Sequence, residues 1–285
     1  METIRRAEKM QRRCLAWRSE GLRIGLVPTM GFFHDGHLAL IRQAGKLADR
    51  VVVSLFVNPT QFGPGEDLAA YPRDPEKDAV LAAENGADVM FCPDSAEMYA
   101  PDHSTWIEVA GVSKHLCGAS RPGHFRGVAT VVAKLFWICL PHAAVFGEKD
   151  WQQLAVIRRM VRDLNIPVEI VGHPIVREAD GLAMSSRNAY LSPDEQRLAP
   201  YVQTGLVMAR ELYRKQSLDS AVEIEARLTA YYEKHLPGSR LDYASCVDGS
   251  SIEPVDRVDD TTVLAVALFL GRTRLIDNIR FGEDR

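Results

Sequence analysis

Cysteine is sparse in this chain, and its scatter excludes two common small-domain solutions. The five thiols (Cys14, Cys92, Cys117, Cys139, Cys246) are odd in number and contain no C-x-x-C pair. They suit neither a disulfide framework nor a zinc ribbon, and read as reduced thiols of a cytoplasm. Positive charge is also lacking: the formal net charge is -4, which argues against broad binding to nucleic acid or to a membrane surface. Long apolar runs are missing too. The longest, residues 128–140, is short and interrupted by Lys134, so it predicts a core helix rather than a membrane span. Residues 4–20 are charged throughout, without the apolar centre of a signal peptide, and a cytoplasmic protein is expected. There are no internal repeats and no low-complexity tracts.

What is present is an ordinary globular composition, 46% hydrophobic and 25% charged over 285 residues, able to bury a sizeable core. That length exceeds the usual single domain, so two are expected. Apolar runs at 22–27, 51–57, 88–92, 143–146 and 168–171 predict strands. The run 51–57 is nearly continuous, as in a parallel strand covered on both faces. Helical patterns lie between them. Asp74 and Pro75 cap and open a helix over 76–85 that Gly86 ends. Asp150 is expected to cap a helix over 151–164, with Leu154, Ile157, Val161 and Leu164 in one stripe. The alternation predicts an α/β fold, a Rossmann-like doubly wound parallel sheet over residues 1–175.

Beyond residue 190 the pattern changes. Ser192-Pro193-Asp194-Glu195 is a capping box with proline at the first helical position. It opens a helix to about residue 215, with a bend expected at Pro200, and a second helix covers 220–234. Strand-like runs follow at 242–247, 263–270 and 273–279, the last two joined at Gly271-Arg272 as a hairpin. Residues 176–285 are therefore expected to form a smaller α+β domain that closes over the site.

Open parallel sheets bind ligands beyond the carboxyl ends of their strands. The unusual polar segments fall there: residues 28–37, 58–63, 147–150 and 177–188. In His34-Asp35-Gly36-His37 two imidazoles share the first turn of a helix, where open N–H groups and the dipole favour a phosphate. Gly36 lets a nucleotide lie close to the backbone. A lone H-x-x-H is also compatible with a metal pair or two surface histidines. Zinc, however, needs a third and fourth ligand, and no Cys/His cluster lies nearby in sequence. Met184-Ser185-Ser186-Arg187-Asn188 adds hydroxyl donors and a guanidinium, again phosphate-binding groups. Together they point to chemistry on a nucleoside triphosphate.

Gly147-Glu148-Lys149-Asp150 joins a strand directly to a helix, so Lys149 reads either as part of a solvated turn or as a cation that neutralises phosphate. Gln61 and Gln153 are amides able to hold a substrate with hydroxyls and a carboxylate. Residues 62–74, rich in Gly, Pro and charge, look like a mobile flap or an ordinary surface loop. Residues 121–127 either bind an anion or tether the following helix. Arg158, Arg159 and Arg162 read as a solvated face.

Taken together, Pro28-Thr29-Met30-Gly31, His34-Asp35-Gly36-His37, Asn58-Pro59-Thr60-Gln61-Phe62-Gly63, residues 121–127, Gly147-Glu148-Lys149-Asp150-Trp151-Gln152-Gln153-Leu154 and residues 177–188 strongly resemble the pantothenate synthetase (pantoate–β-alanine ligase) family. The resemblance runs across nearly the whole chain. H-x-G-H alone also marks cytidylyltransferases and class I aminoacyl-tRNA synthetases, within the HxGH nucleotidyltransferase superfamily. The resemblance implies that ATP and (R)-pantoate form a pantoyl adenylate, and that β-alanine then gives pantothenate and AMP. It implies ATP contacts at Met30, Gly31, Phe32, Phe33, His34, Asp35, Gly36, His37, Gly147, Glu148, Lys149, Asp150, Val176, Met184, Ser185, Ser186 and Arg187. His37 is carried over as general acid, with His34 and Lys149 as further catalytic groups. Gln61 and Gln153 would grip pantoate. Mg2+ is implied as an ion held by phosphates, without a dedicated protein cage, and a homodimer is implied as the assembly. Phe32, Phe33 and Trp151 depart from the residues common in the family. The alternative is an adenylyl- or cytidylyltransferase acting on a phosphorylated substrate, which would release no free AMP.

Overall fold

The structure, a computed structural model, describes residues 1–283. In chain order the elements are β1 (Glu2–Ile4), α1 (Ala7–Ser19), β2 (Ile24–Thr29), α2 (Asp35–Leu47), β3 (Arg50–Leu55), α3 (Pro75–Glu84), β4 (Val89–Phe91), α4 (Ser95–Met98), α5 (Cys117–Ser120), α6 (His124–Cys139), β5 (Ala143–Gly147), α7 (Trp151–Asp163) and β6 (Glu169–His173). There follow α8 (Pro193–Leu198), α9 (Tyr201–Gln216), α10 (Ala221–His235), β7 (Arg240–Asp248), β8 (Thr262–Leu270) and β9 (Thr273–Arg280). The chain divides into two compact units. One comprises residues 1–109, 121–148 and 156–174; the other comprises residues 110–120, 149–155 and 175–285.

The first unit is built on a six-stranded sheet in the order β1-β4-β3-β2-β5-β6, parallel throughout. The expected parallel sheet is therefore present, with one further strand, β1, at its edge. Residues 51–53 of β3 and 24, 26 and 27 of β2 are buried, as strands covered on both faces require. Helix α1 packs on α6 and α2 on α3, the opposite-face arrangement that right-handed crossovers impose. Strands β3 and β4 lie to one side of β2, and β5 and β6 to the other. The order thus reverses between β2 and β5, and ligands of open α/β sheets sit outside such a reversal.

In the second unit β7, β8 and β9 form an antiparallel sheet. Leu206, Ile224, Leu228, Cys246, Leu264 and Phe281 are among its fully buried core residues. The hairpin at Gly271 is as expected from the sequence. The capping box at Ser192 also forms, but the expected bend is a break: α8 stops at Leu198 and α9 restarts at Tyr201. Pro200 has no N–H to continue the first helix and suits the start of the second. Likewise Asp150 does not open α7 alone; a 3-10 turn over Glu148–Asp150 leads into it.

All five cysteines are free and buried. Burial pushes the Cys92 thiol up to about 11, and the Cys246 thiol is raised as well. No helix among the described residues is long and apolar enough to cross a membrane.

Candidate active site

Strand β2 ends at Thr29, whose hydroxyl donates to the Ser54 carbonyl at 2.6 Å. The chain then turns through Gly31 (φ +87) and Phe32 (φ +54) and enters α2. His34 is the N-cap residue, and its carbonyl accepts from the His37 and Leu38 amides at 2.8 and 3.2 Å. The two rings lie 4.1 Å apart between centroids. The His34 amide donates to His37 Nδ1 at 3.4 Å, which holds the proton of a neutral His37 ring on Nε2. Phe33 is buried in the core with Leu38, Ile41 and Ala82. Its ring stands 5.4 Å from that of His37. The sequence therefore places an imidazole pair on a helix N-terminus, beside the point where the sheet reverses.

Gln61 lies in the same unit, at the end of a 3-10 turn (Pro59–Gln61) that follows β3. Its side chain is held at both atoms: Asn58 Nδ2 donates to Oε1 at 3.1 Å, and Nε2 donates to Met30 Sδ at 3.2 Å. Met30 and Gln61, both singled out from the sequence, are thus brought together. Asn58, only 1% exposed, also donates to the Gly127 carbonyl at 3.1 Å. The sequence pointed to Gln61 but not to Asn58, whose signal is its place before a proline.

Within this unit, residues 121–127 tether the Gln61 turn and segment 62–74. Arg121 Nη2 and His124 Nδ1 contact the Gln61 carbonyl at 3.3 and 2.8 Å. Arg121 also grips Glu66 through two bonds of 2.7 and 2.6 Å. Burial alone would raise the Glu66 carboxyl, yet the guanidinium overrides it and holds it below its ordinary range. That clasp fastens one end of segment 62–74, which contains turns but no regular element. Helix α6 comes very close here: a Cβ on Gly127 would stand 2.7 Å from the Gln61 nitrogen. Gly127→Ala is accordingly expected to destabilise the protein by about 1–3 kcal/mol. A urea-unfolding midpoint equal to that of the unaltered chain would contradict this close approach.

In the second unit, β9 organises two segments through adjacent residues. Buried Asp277 accepts two bonds from Arg177, at 2.7 and 3.1 Å. Asn278 Nδ2 donates to the Lys149 carbonyl at 2.9 Å. Arg177 belongs to a small turn in which Met184 N donates to the Val176 carbonyl at 3.0 Å, with Gly181 at φ +97. Val176 and Met184 are therefore neighbours. Ser185 follows and caps a 3-10 turn over Ser186–Tyr190, accepting from the Arg187 amide at 3.3 Å. Segment 149–155 is stapled in the same unit. Trp151 Nε1 donates to the Gly249 carbonyl at 2.8 Å, which gives the indole a partner. Gln152 Nε2 donates to the Val112 and His115 carbonyls at 3.0 and 2.7 Å. Lys149 Nζ lies 3.8 Å from Asp150 Oδ2. Gln153 sits half-buried on the first turn of α7.

Of the expected residues, Met30 to His37, Gln61, Gly147 and Glu148 lie in the first unit. Lys149, Asp150, Gln153, Val176 and Met184 to Arg187 lie in the second. Asn58, Asp277 and Asn278, which hold them in place, were not singled out by the sequence.

A six-stranded parallel sheet flanked by helices, with H-x-G-H at the turn after its central β2, defines an α/β protein of the doubly wound class. The family model described as pantoate-beta-alanine ligase matches residues 2–280. Pantothenate synthetase of Nitratidesulfovibrio vulgaris (strain Miyazaki F) is 54% identical over 279 residues, 98% of each chain. That of Oleidesulfovibrio alaskensis is 54% identical over 98% of this chain and 99% of its own. The crystal structure of pantothenate synthetase from Thermus thermophilus superposes with a TM-score of 0.92 at 43% identity, covering 99% of this chain and 100% of that one. The pantoate-beta-alanine ligase of Francisella tularensis, complexed with beta-gamma ATP and beta-alanine, gives 0.80 at 30% identity over 99% and 98%. This chain belongs to the pantoate–β-alanine ligase family. It is an acid–amine ligase that joins pantoate to β-alanine.

Proposed function

We propose that the chain activates (R)-pantoate with ATP as pantoyl adenylate and then passes the acyl group to β-alanine. A pantoate carboxylate oxygen attacks the α-phosphorus. The bond to the bridging oxygen of the β-phosphate breaks, and pyrophosphate leaves with its electron pair. The amine of β-alanine then attacks the acyl carbon, the C–O bond to AMP breaks, and the nitrogen loses a proton. A carboxylate is a poor acyl donor until AMP becomes its leaving group, so binding geometry and charge stabilisation suffice for both steps without a covalent protein intermediate.

The observation that most supports this reading is the His34–His37 pair on the N-terminus of α2 where the sheet reverses. His34 and His37 donate to triphosphate oxygens, and His37 serves as general acid through Nε2. Met30 to Gly36, Gly147 and Glu148 line the nucleotide in the first unit. In the second, Lys149 offsets phosphate charge, while Asp150, Val176 and Met184 to Arg187 supply further ATP contacts. Gln61 and Gln153 orient pantoate. Most of these ATP and pantoate groups fall within residues 1–175, with Val176 and Met184 to Arg187 beyond them.

Among the described residues no group of three or more His, Cys, Asp or Glu side chains is arranged to hold a metal ion. Mg2+ is assigned to the substrate, as MgATP, with phosphate oxygens and water as its ligands. A homodimer is the assembly proposed. A cytoplasmic setting fits the five free thiols.

Product analysis with ATP, pantoate and β-alanine tests the function. AMP is expected only when both co-substrates are present, and pantoate alone should support exchange of labelled pyrophosphate into ATP. Pyrophosphate without AMP on adding a phosphorylated alcohol would favour the nucleotidyltransferase instead. The pantoate assignment is tested by Gln61→Ala. It loses an amide held on both sides, and the pantoate KM is expected to rise about 10- to 100-fold, as for hydrogen bonds to a charged group. Unchanged pantoate saturation would contradict the role.

A further inference from the structure

The turn that carries the two histidines is held by a buried side chain outside the segments singled out so far. Asp78, on the first turn of α3, is 1% exposed. Its carboxylate takes two consecutive amides in a fork: the Phe32 N–H donates to Oδ2 and the Phe33 N–H to Oδ1, both at 2.7 Å. The turn needs such a hold. Gly31 and Phe32 stand at φ +87 and +54, and a phenylalanine keeps left-handed backbone only where its surroundings impose it. Gly31 also makes room, since a Cβ there would stand 3.0 Å from Asp78 Oδ2. From the clamped Phe33 amide the contacts continue through its ring to His37 and on to His34.

Burial pushes the Asp78 carboxyl above its ordinary range, although the Phe33 and Phe32 amides pull against the shift. An ionised carboxylate presents a full acceptor to each of the two amides. An asparagine in the same position would turn its NH2 group towards one of two N–H donors.

We propose that Asp78 is a positioning residue for adenylate formation: by clamping the Phe32 and Phe33 amides it sets the orientation of the His34–His37 pair. The proposal rests on the assignment of those histidines to ATP. In Asp78→Asn, the turnover of pantoate-dependent pyrophosphate–ATP exchange is expected to fall roughly 10- to 100-fold, the scale of a small misplacement of reacting groups. The pantoate KM should change little. Aminolysis of supplied pantoyl adenylate by β-alanine should also be preserved, a split that general loosening of the fold would not produce. The melting temperature should stay within about 5 °C. Amide proton resonances of labelled Phe32 and Phe33 should move upfield, reporting the lost clamp independently of activity.

Gly31→Ala reaches the same contact from the other side. It should show the same selective loss, and the double variant should be less impaired than the product of the two single effects. Unaltered exchange in Asp78→Asn, or equal losses in both half-reactions, would overturn the proposal. So would a Gly31→Ala variant with full activity, the outcome to rely on if Asp78→Asn does not fold. His37→Ala separates the two levels. If it is impaired while Asp78→Asn is not, Asp78 alone loses its role; if it is fully active, the histidine assignment falls and the clamp's purpose falls with it.

Discussion

Replacing His37 with alanine is expected to lower pantoate-dependent pyrophosphate–ATP exchange by about 10²–10⁴-fold, the contribution of a positioned general acid. That corresponds to roughly 3–5 kcal/mol of lost transition-state stabilisation. The expectation follows from three features of the residue. It stands on the first turn of α2, where helix N–H groups and the dipole favour the negative charge of a triphosphate. Its ring is paired with that of His34 at 4.1 Å. Its Nδ1 accepts from the His34 amide, which keeps the Nε2 proton available for donation. Loss of that one local bond should lower stability by only about 1 kcal/mol, as for a helix cap. Folding measured by circular dichroism should therefore survive while exchange collapses. Near-normal exchange in a folded His37→Ala variant would remove the histidine from the chemistry.

Lys149→Ala carries the second large effect. Removing one fixed donor to a transferring phosphoryl group costs about 10²–10³-fold in turnover, and the same loss is expected here. The residue's backbone is fixed by Asn278 at 2.9 Å, while Trp151 and Gln152 tie down the residues after it. Truncating the side chain therefore removes the ammonium without releasing the segment. An arginine at 149 should rescue little, because a planar fork does not reproduce a compact ammonium. Steady-state turnover with saturating ATP, pantoate and β-alanine is the measurement. A Lys149→Ala enzyme at full turnover would confine this residue to the solvated turn that its neighbours Glu148 and Asp150 also suggest.

The architecture was legible in the sequence wherever periodicity ran for more than one turn or several strand residues. The nearly continuous apolar run at 51–57 reads as an interior strand, and the capping box at Ser192 and Gly271 mark where elements begin and end. Strand β1 escaped because Glu2–Ile4 is too short to show a period. Strand β2 runs on through Pro28 to Thr29, although a proline reads as a breaker. Its pairing with β5 stops at Leu26, so the missing N–H two residues later costs no bond on that side. The side chains proposed for the chemistry stand out in the sequence, since imidazole, ammonium and amide groups at strand ends announce themselves. Their supports do not. Asp78 lies among Asp74, Glu76 and Lys77, and nothing in the sequence separates the carboxylate that grips two amides from the one that caps α3. Asn278 is likewise one polar residue on an antiparallel strand, and its bond to the Lys149 carbonyl spans 129 positions.

The interior location of every native thiol has a practical consequence. A single cysteine substituted at an exposed position of segment 62–74 would be the preferred address for a maleimide fluorophore. Dye emission could then follow that stretch of chain through successive substrate additions, without first stripping the protein of its own sulfhydryls.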